Sequence, residues 1–168
     1  MTQEAPSLIT DEMKASIGRE GPASRSEVDR TGIRMFARSV GHTDPIFYDE
    51  EAAKARGYRS LVCPPGYTGT PAFNPARMGA AMAAMGGGMP GGGAGGGRRM
   101  RVLNGGTEYE YTGIPICAGD VLTSVGKTVS IEQVASSLGQ MVITRRESTY
   151  TNQNGEVVCR SYGTSLNY

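Results

Sequence analysis

The stretch RMFARSVGHTDPIFYDEEAAKARGYRSLVCPP, residues 34–65, decides how the first half of the chain folds. Apolar residues around its start take the i, i+3, i+4 and i+7 spacing of one helix face: Ile33, Phe36, Ala37 and Val40. A second helix is predicted from the acids at 49–51, the cations Lys54 and Arg56, and Gly57 as a left-handed cap, an order that suits the helix dipole. The loop between the two helices belongs to the densest cluster of reactive side chains in the chain.

Helices are also predicted on either side of this stretch. Thr10 is a cap for a short helix in which Met13 and Ile17 lie about one turn apart. Downstream, Asn74 and Pro75 form a cap and first-turn pair. Methionines then recur along one helical face: Met78, Met82, Met85 and Met89. Such a face suits core packing, and it also suits an acyl chain or a partner surface.

The stretch GGGMPGGGAGGG, residues 86–97, ends that helical pattern. Glycine loses the most backbone entropy on folding, so this composition predicts a mobile loop. Its reach as a flexible coil is only about 20 Å, which is too short to separate two domains. We therefore expect it to interrupt one fold, and residues 1–168 to form a single domain.

The pattern after the glycines has a period of two residues, which is typical of strands. Tyr109 and Tyr111 alternate with two glutamates, and segment 121–131 predicts four residues on one face: Val121, Val125, Val129 and Ile131. Asn154-Gly155 lies between two further runs and predicts a type I′ hairpin turn. Helices first and antiparallel strands after them predict an α+β domain with helix packed on one sheet face.

Composition excludes several classes of protein. Seventeen Lys and Arg against sixteen Asp and Glu give a net charge of +1, without the basic excess that nucleic-acid binding needs. The acidic start resembles no signal peptide, and no apolar run reaches the roughly 18 residues of a membrane span, so we expect a soluble, cytoplasmic protein without a membrane partner. Three cysteines spaced more than 40 residues apart and a single histidine predict neither disulfides nor a metal site, and we expect no cofactor.

The only histidine, His42, lies in the loop between the two central helices, two residues before Asp44. A histidine near its ordinary pKa carries protons at neutral pH, and a nearby carboxylate can orient it. The alternative is structural, because Asp44 precedes Pro45 and is also a good helix N-cap. Cys63 as a nucleophile is a weaker hypothesis, since isolated cysteines are usually small buried apolar residues.

Three blocks of the sequence, in order, resemble MaoC-like enoyl-CoA hydratases and acyl dehydratases. They are residues 34–65, LNGGTEYEYTGIPICAGDVLT at 103–123, and TYTNQNGEVVCRSYGTSLNY at 149–168. The resemblance implies a hot-dog fold, in which an antiparallel sheet wraps a central helix, here expected to begin near residues 65–70. It also implies pairing of two such domains, sheet edge to sheet edge, in a homodimer or heterodimer.

In catalytic members of that family the loop reads Gly-Asp-x-Asn-Pro-x-His, and its Asp and His hold the water that adds to the enoyl thioester. Laid on this sequence, the resemblance places His42 at the motif Asp, Asp44 at the motif Asn and Phe47 at the motif His. The backbone N–H that faces the thioester oxygen in the family falls on Pro65, which has none, or on Gly66. The resemblance thus makes His42 and Asp44 the candidate catalytic residues, in a degenerate motif. The candidate substrate-binding residues are Phe47, Pro65, Gly66, Met78 and Met82.

One hypothesis reconciles the family with these losses. The chain is a subunit of a heteromeric (R)-type enoyl-CoA hydratase or 3-hydroxyacyl-CoA dehydratase, shapes the acyl site, and relies on a second MaoC-like hot-dog subunit for the intact Asp and His. The alternatives are a self-sufficient hydratase that uses His42 with Asp44 or Asp49, a non-catalytic thioester-binding or assembly module, and a thioesterase that recruits a carboxylate. In each case the expected ligand is a CoA thioester.

Overall fold

A computed structural model describes residues 7–71, 102–137 and 139–168. The strands of these residues are β1 (Ser24–Glu27), β2 (Thr70–Pro71), β3 (Val102–Tyr111), β4 (Val121–Ser136), β5 (Gly139–Thr151) and β6 (Val157–Asn167). They form one antiparallel sheet in the order β2-β1-β4-β5-β6-β3. The helices are α1 (Asp11–Ala15), α2 (Arg30–Ser39) and α3 (Glu50–Ala55), with a 3₁₀ turn at Pro45–Phe47. The expected α+β class is confirmed.

Each of the three helices begins at a side chain that caps it. Thr10 accepts a hydrogen bond from the Met13 N–H at the start of α1, as predicted. Asp29 caps α2 and Asp49 caps α3 in the same way. Gly57 follows α3 with φ +87°, the left-handed conformation expected of it. The three predicted helices are confirmed, but Ile17 lies beyond the end of α1 at Ala15, and Val40 is the C-cap of α2 and not part of its buried face.

The core lies between the helical segment and one face of the sheet. Ile33 and Ala37 of α2, Phe47 of the 3₁₀ turn and Ala53 of α3 pack into one buried cluster with sheet residues that include Leu122. Ile33, Ala37, Ala53 and Leu122 are each 0% exposed. The opposite sheet face carries charged pairs, among them Arg145 with Glu108 at 2.8 Å and Lys127 with Glu147 at 3.2 Å. The sheet is therefore apolar toward the helices and carries charged pairs on its other side.

The prediction of one shared face for the apolar residues of β4 is wrong at its end. The pairing of β4 with β5 shifts between Thr128 and Ser130, so a β-bulge inserts Val129 as an extra residue. The inserted residue reverses the alternation, and Ile131 therefore lies on the face opposite Val121.

The turn between β5 and β6 is also not the type I′ turn that Asn154-Gly155 predicted. A type I′ turn needs positive φ at both central residues, and here only Gly155 has it, at +81°. The Asn152 side chain explains the difference, because its Oδ1 accepts hydrogen bonds from the N–H groups of Asn154 and Glu156, each at 3.0 Å. This side chain stabilises a longer loop that runs from Asn152 to Glu156.

Two predicted segments lie outside the described residues. They are the methionine-lined helix that follows Pro75 and the Gly-rich stretch at 86–97. Within the described ranges, the helices are all too short to cross a membrane.

Asp120 connects three parts of the chain through one buried carboxylate. It is 1% exposed, its Oδ2 accepts from the Cys117 N–H at 2.8 Å, and its Oδ1 accepts from the Gln153 side chain at 2.8 Å. Its Oδ2 also forms an ion pair with the Arg59 guanidinium. A buried carboxylate is tolerated only when it is paired in this way.

We expect Asp120→Ala to lower the free energy of unfolding by about 3 kcal/mol, because it leaves the buried Cys117 N–H, the Arg59 guanidinium and the Gln153 amide without their partner. Chemical denaturation followed by circular dichroism measures this. Asp11→Ala is the matched control, because that carboxylate is fully exposed and pairs only with Lys14; it should leave the midpoint unchanged. Equal midpoints for wild type and Asp120→Ala would contradict the structural role given to this group.

Candidate active site

The loop between α2 and α3 is held in shape by its own backbone. Gly41 ends α2 with φ +77°, which reverses the chain, and the His42 N–H then donates to the Ala37 carbonyl at 2.9 Å. The Tyr48 hydroxyl donates to the His42 carbonyl from the far side of the loop. The loop is therefore a fixed turn that sets the direction of each side chain in it.

This geometry brings the two positions that matter in the hydratase motif side by side. The rings of His42 and Phe47 lie 5.2 Å apart between centroids and are tilted by 44°. Phe47 is 8% exposed and belongs to the core cluster, whereas His42 is half-buried. The structure thus brings together an imidazole and a benzyl ring, and only the imidazole can carry a proton.

The Asp44 carboxylate is engaged in a backbone hydrogen bond and an ion pair. Its carboxylate accepts from the Ile46 N–H at 3.2 Å as the cap of the 3₁₀ turn, and it pairs with Arg56 at 2.7 Å. The hydrogen bond from Arg56, followed by that from Ile46, lowers the pKa of Asp44, so the group stays ionised at neutral pH. Asp49 caps α3 through the Glu51 N–H at 2.8 Å. Among these described residues, no hydrogen bond joins His42 to either carboxylate.

The expected start of a central helix at residues 65–70 is wrong for the part of the chain that the structure describes. Pro65 and Gly66 form a turn instead, and β2 follows at Thr70–Pro71. The physical reason is the backbone of two glycines, since Gly66 has φ +90° and Gly69 has φ +88°, conformations that an α-helix does not contain. Residues 72–101 lie outside the described ranges.

The Gly66 N–H, one of the two candidate oxyanion donors, already has an acceptor. It donates to the Tyr111 hydroxyl oxygen at 2.7 Å, while Pro65 has no N–H to offer. Tyr111 is the last residue of β3, so this bond connects the turn to the sheet. Sequence analysis noted Tyr111 only as part of an alternating pattern, and no signal in the sequence paired it with Gly66.

A cavity of about 270 Å³ opens beside this hydrogen bond. Its described lining consists of Tyr58, Val62, Cys63, Pro65, Tyr111, Gly113, Ile114, Pro115 and Ile116. Pro65 is the one candidate substrate-binding residue of the sequence analysis that lines it, and Gly66 lies next to it in the chain. Phe47 lies in the core, and Met78 and Met82 lie outside the described residues. No group of three or more His, Cys, Asp or Glu within the described ranges could hold a metal ion.

The turn beside the cavity is anchored to the start of α2. The Tyr67 hydroxyl bonds with Thr70 Oγ1 at 2.9 Å, and Thr70 donates to Asp29 at 3.0 Å. The Tyr67 ring also stacks on Phe36, with centroids 5.4 Å apart. Gly32 permits this approach, because a Cβ built on it would lie 2.0 Å from the Tyr67 hydroxyl oxygen.

We expect Gly32→Ala to destabilise the protein although alanine is the better helix former by about 1 kcal/mol. The added methyl overlaps the Tyr67 hydroxyl and breaks its bond to Thr70, and overpacking of this kind costs about 1 to 3 kcal/mol. Thermal unfolding of Gly32→Ala beside Thr31→Ala, an exposed position on the same helix, measures the difference. A higher melting temperature for Gly32→Ala than for wild type would show that Tyr67 is not seated there.

Cys63 lies on the cavity wall, but its environment disfavours nucleophilic chemistry. Burial raises the pKa of the Cys63 thiol well above its ordinary value, and the nearby Cys117 and Asp120 raise it further. The thiol donates to the Tyr67 carbonyl at 2.8 Å. Burial also raises the pKa of Cys117, and that of Cys159 to about 11. Reactive cysteines need the opposite environment.

We expect all three thiols to react slowly with a disulfide reagent at pH 7 in the folded protein and fast in denaturant, because the thiolate is the reacting form. Colorimetric titration of the native and unfolded protein measures both rates. Cys63→Ser is the matched variant. Because Cys63 is expected to react slowly, this variant and the wild type should show the same slow reaction in the native state. A fast native phase that disappears in Cys63→Ser would restore the nucleophile hypothesis.

Comparison with known proteins places these features in a family. The model of the FAS1-like dehydratase domain region matches residues 15–161. A UPF0336 protein of Streptomyces avermitilis is 32% identical over 143 residues, which covers 84% of this chain and 86% of the relative. A UPF0336 protein of Clavibacter michiganensis is 31% identical over 142 residues, again covering 84% and 86%.

Solved structures agree on the fold. The C-terminally truncated HadBC complex of Mycobacterium tuberculosis, named a 3R-hydroxyacyl-ACP dehydratase, matches with a TM-score of 0.63 and 25% identity, covering 95% of this chain and 99% of that one. A MaoC-like dehydratase matches with a TM-score of 0.65 and 24% identity, covering 91% of this chain but 42% of the other. The expected hot-dog fold is confirmed, and the chain belongs to the hot-dog dehydratase family that includes the MaoC-like enzymes, with the UPF0336 proteins as its relatives.

Proposed function

We propose that this chain is the substrate-shaping subunit of a heteromeric (R)-type enoyl-thioester hydratase, which also runs the reverse dehydration of a 3-hydroxyacyl thioester. A second MaoC-like hot-dog subunit supplies the intact Asp and His. The observation that carries the proposal is the burial of Phe47 against His42 at the position of the motif histidine. One imidazole without a second proton carrier does not both activate a water and protonate carbon.

The carboxylates near His42 support the same proposal. Asp44 is committed to Arg56 and the 3₁₀ turn, and Asp49 is committed to the start of α3. Their removal from these roles would cost the loop its caps. Both carboxylates of the loop are therefore engaged in holding its backbone in place.

The free edge of the sheet supports a partner subunit. β3 pairs only with β6 among the described strands, and all ten of its residues are exposed. Val102 and Leu103 are 67% and 48% exposed on it. A long exposed edge with apolar residues is an aggregation hazard that proteins normally cover. Pairing with the edge of a second hot-dog subunit would cover it, and the HadBC structure is itself named a complex.

The test compares three preparations: this chain alone, a MaoC-like chain of the same organism with an intact Gly-Asp-x-Asn-Pro-x-His loop, and the two expressed together. Loss of the enoyl-thioester absorbance of crotonyl-CoA, of a longer enoyl-CoA and of the matching acyl-carrier-protein thioester measures hydration. We expect this chain alone to be inactive and the pair to prefer longer chains than the partner does by itself.

Two substitutions separate the subunit role from the alternatives. His42→Ala in the pair should keep at least about half of the activity, because the reacting proton never passes through this chain. Replacing the motif histidine of the partner subunit should abolish turnover. Full activity of this chain alone, lost in His42→Ala, would support a self-sufficient hydratase instead. Absence of turnover in every combination would leave a non-catalytic thioester-binding module.

A further inference from the structure

Tyr111 has a hydroxyl proton for which the described residues offer no acceptor. Its hydroxyl oxygen accepts from the Gly66 N–H, and a hydroxyl that accepts still has one O–H to donate. Among the described residues no atom accepts that proton. The side chain is part-exposed and lines the 270 Å³ cavity, so the O–H is accessible to a molecule bound there.

The phenol keeps this proton at every physiological pH. Burial raises the pKa of Tyr111 to about 12, even though the hydrogen bond from Gly66 acts in the opposite direction. An N–H bonded to the phenol oxygen polarises the hydroxyl and makes its proton a better donor. Gly66 also fixes the oxygen in space, because its amide belongs to the turn that Tyr67 anchors.

The rest of the cavity is apolar and holds few free polar groups. Val62, Ile114 and Ile116 provide its walls together with two prolines, and the Cys63 thiol is already committed to the Tyr67 carbonyl. No Lys, Arg, Asp or Glu is among the described lining residues. Tyr58 contributes a second hydroxyl, but no backbone amide of the described ranges donates to it. An apolar wall with one fixed neutral donor suits an uncharged carbonyl attached to an apolar chain.

We propose that the Tyr111 hydroxyl binds the carbonyl oxygen of the acyl thioester and that the acyl chain lies in the cavity beside it. This inference rests on the proposed function and adds the group that fixes the substrate on this subunit. Gly66 is a positioning residue, because its N–H bonds to the Tyr111 hydroxyl oxygen and does not contact the ligand itself. At about 270 Å³ the cavity is slightly smaller than the roughly 300–1,000 Å³ of typical ligand pockets, which matches a short segment of acyl chain.

The experiment measures the binding of two ligands to the full wild-type chain and to three variants of it, Tyr111→Phe, Tyr109→Phe and Tyr58→Phe. The ligands are S-hexanoyl-N-acetylcysteamine, a thioester, and S-hexyl-N-acetylcysteamine, a thioether. The thioether lacks the thioester carbonyl, whereas both ligands keep the same N-acetyl group. Titration calorimetry gives the affinity of each. We expect the wild-type chain to prefer the thioester by about three- to tenfold, the contribution of one neutral hydrogen bond. Tyr111→Phe should abolish that preference and leave thioether binding unchanged.

Tyr109→Phe is the matched control. Tyr109 lies on the same strand, stacks on Tyr111 with centroids 6.2 Å apart, and does not line the cavity. It should keep the thioester preference in full. The Gly66 amide resonance gives a second readout, because it should shift in Tyr111→Phe and stay in place in Tyr109→Phe, which also shows that both variants are folded.

Three outcomes would overturn the inference. A thioester preference that survives in Tyr111→Phe would do so, as would a preference that disappears in Tyr58→Phe instead. A wild-type chain that binds the thioester no better than the thioether, or binds neither, would also do so. The proposed function is tested separately by the activity of the two-subunit pair. If the pair is active and any of these results is found, the inference about Tyr111 is wrong and the proposed function still holds.

Discussion

The buried carboxylate of Asp120 is the interaction on which the geometry of the site depends. Arg59 follows the helix α3, Cys117 belongs to the loop that lines the cavity, and Gln153 belongs to the turn between β5 and β6. The backbone adds a fourth connection, because the Asp120 carbonyl accepts from the Val28 N–H at the end of β1. Four separate parts of the chain thus meet at one residue. The cavity wall and the sheet keep their relative position because this residue is fully satisfied.

Phe47 fits the core at a position where the hydratase motif would have a histidine. Full burial of a phenylalanine side chain contributes about 1.5 to 3 kcal/mol, whereas a buried imidazole needs partners for its ring nitrogens. The benzyl ring can be buried in the core without any hydrogen-bond partner. The adjacency of positions 42 and 47 survives because the backbone bonds of His42, and not the motif side chains, shape the loop.

Local patterns predicted the elements that obey local rules. The apolar spacing of α2, the charge order of α3 and the alternation of β3 each depend on neighbours within one helix or strand. β1 was missed because its sequence, SRSE, has no apolar alternation, and it forms a strand through pairing with β4. The bulge in β4 and the cap by Asn152 depend on partners in space, so the pattern alone predicted a regular strand and a two-residue turn. The bond of Tyr111 to Gly66 joins residues 45 positions apart, which no local pattern contains.

The place of Tyr111 at the end of β3 couples the cavity to the sheet edge. One side of β3 is held by β6, and no described strand pairs with its other side, where a second subunit could add a strand. A strand added at that edge would restrict the backbone of β3 and, through it, the phenol whose oxygen already bonds to Gly66. Ordering the group before the ligand arrives lowers the entropy lost on binding. Under the proposed function, a partner subunit at this edge would do two things at once: supply the catalytic Asp and His, and restrict the Tyr111 hydroxyl to the position where we propose that it binds the thioester carbonyl.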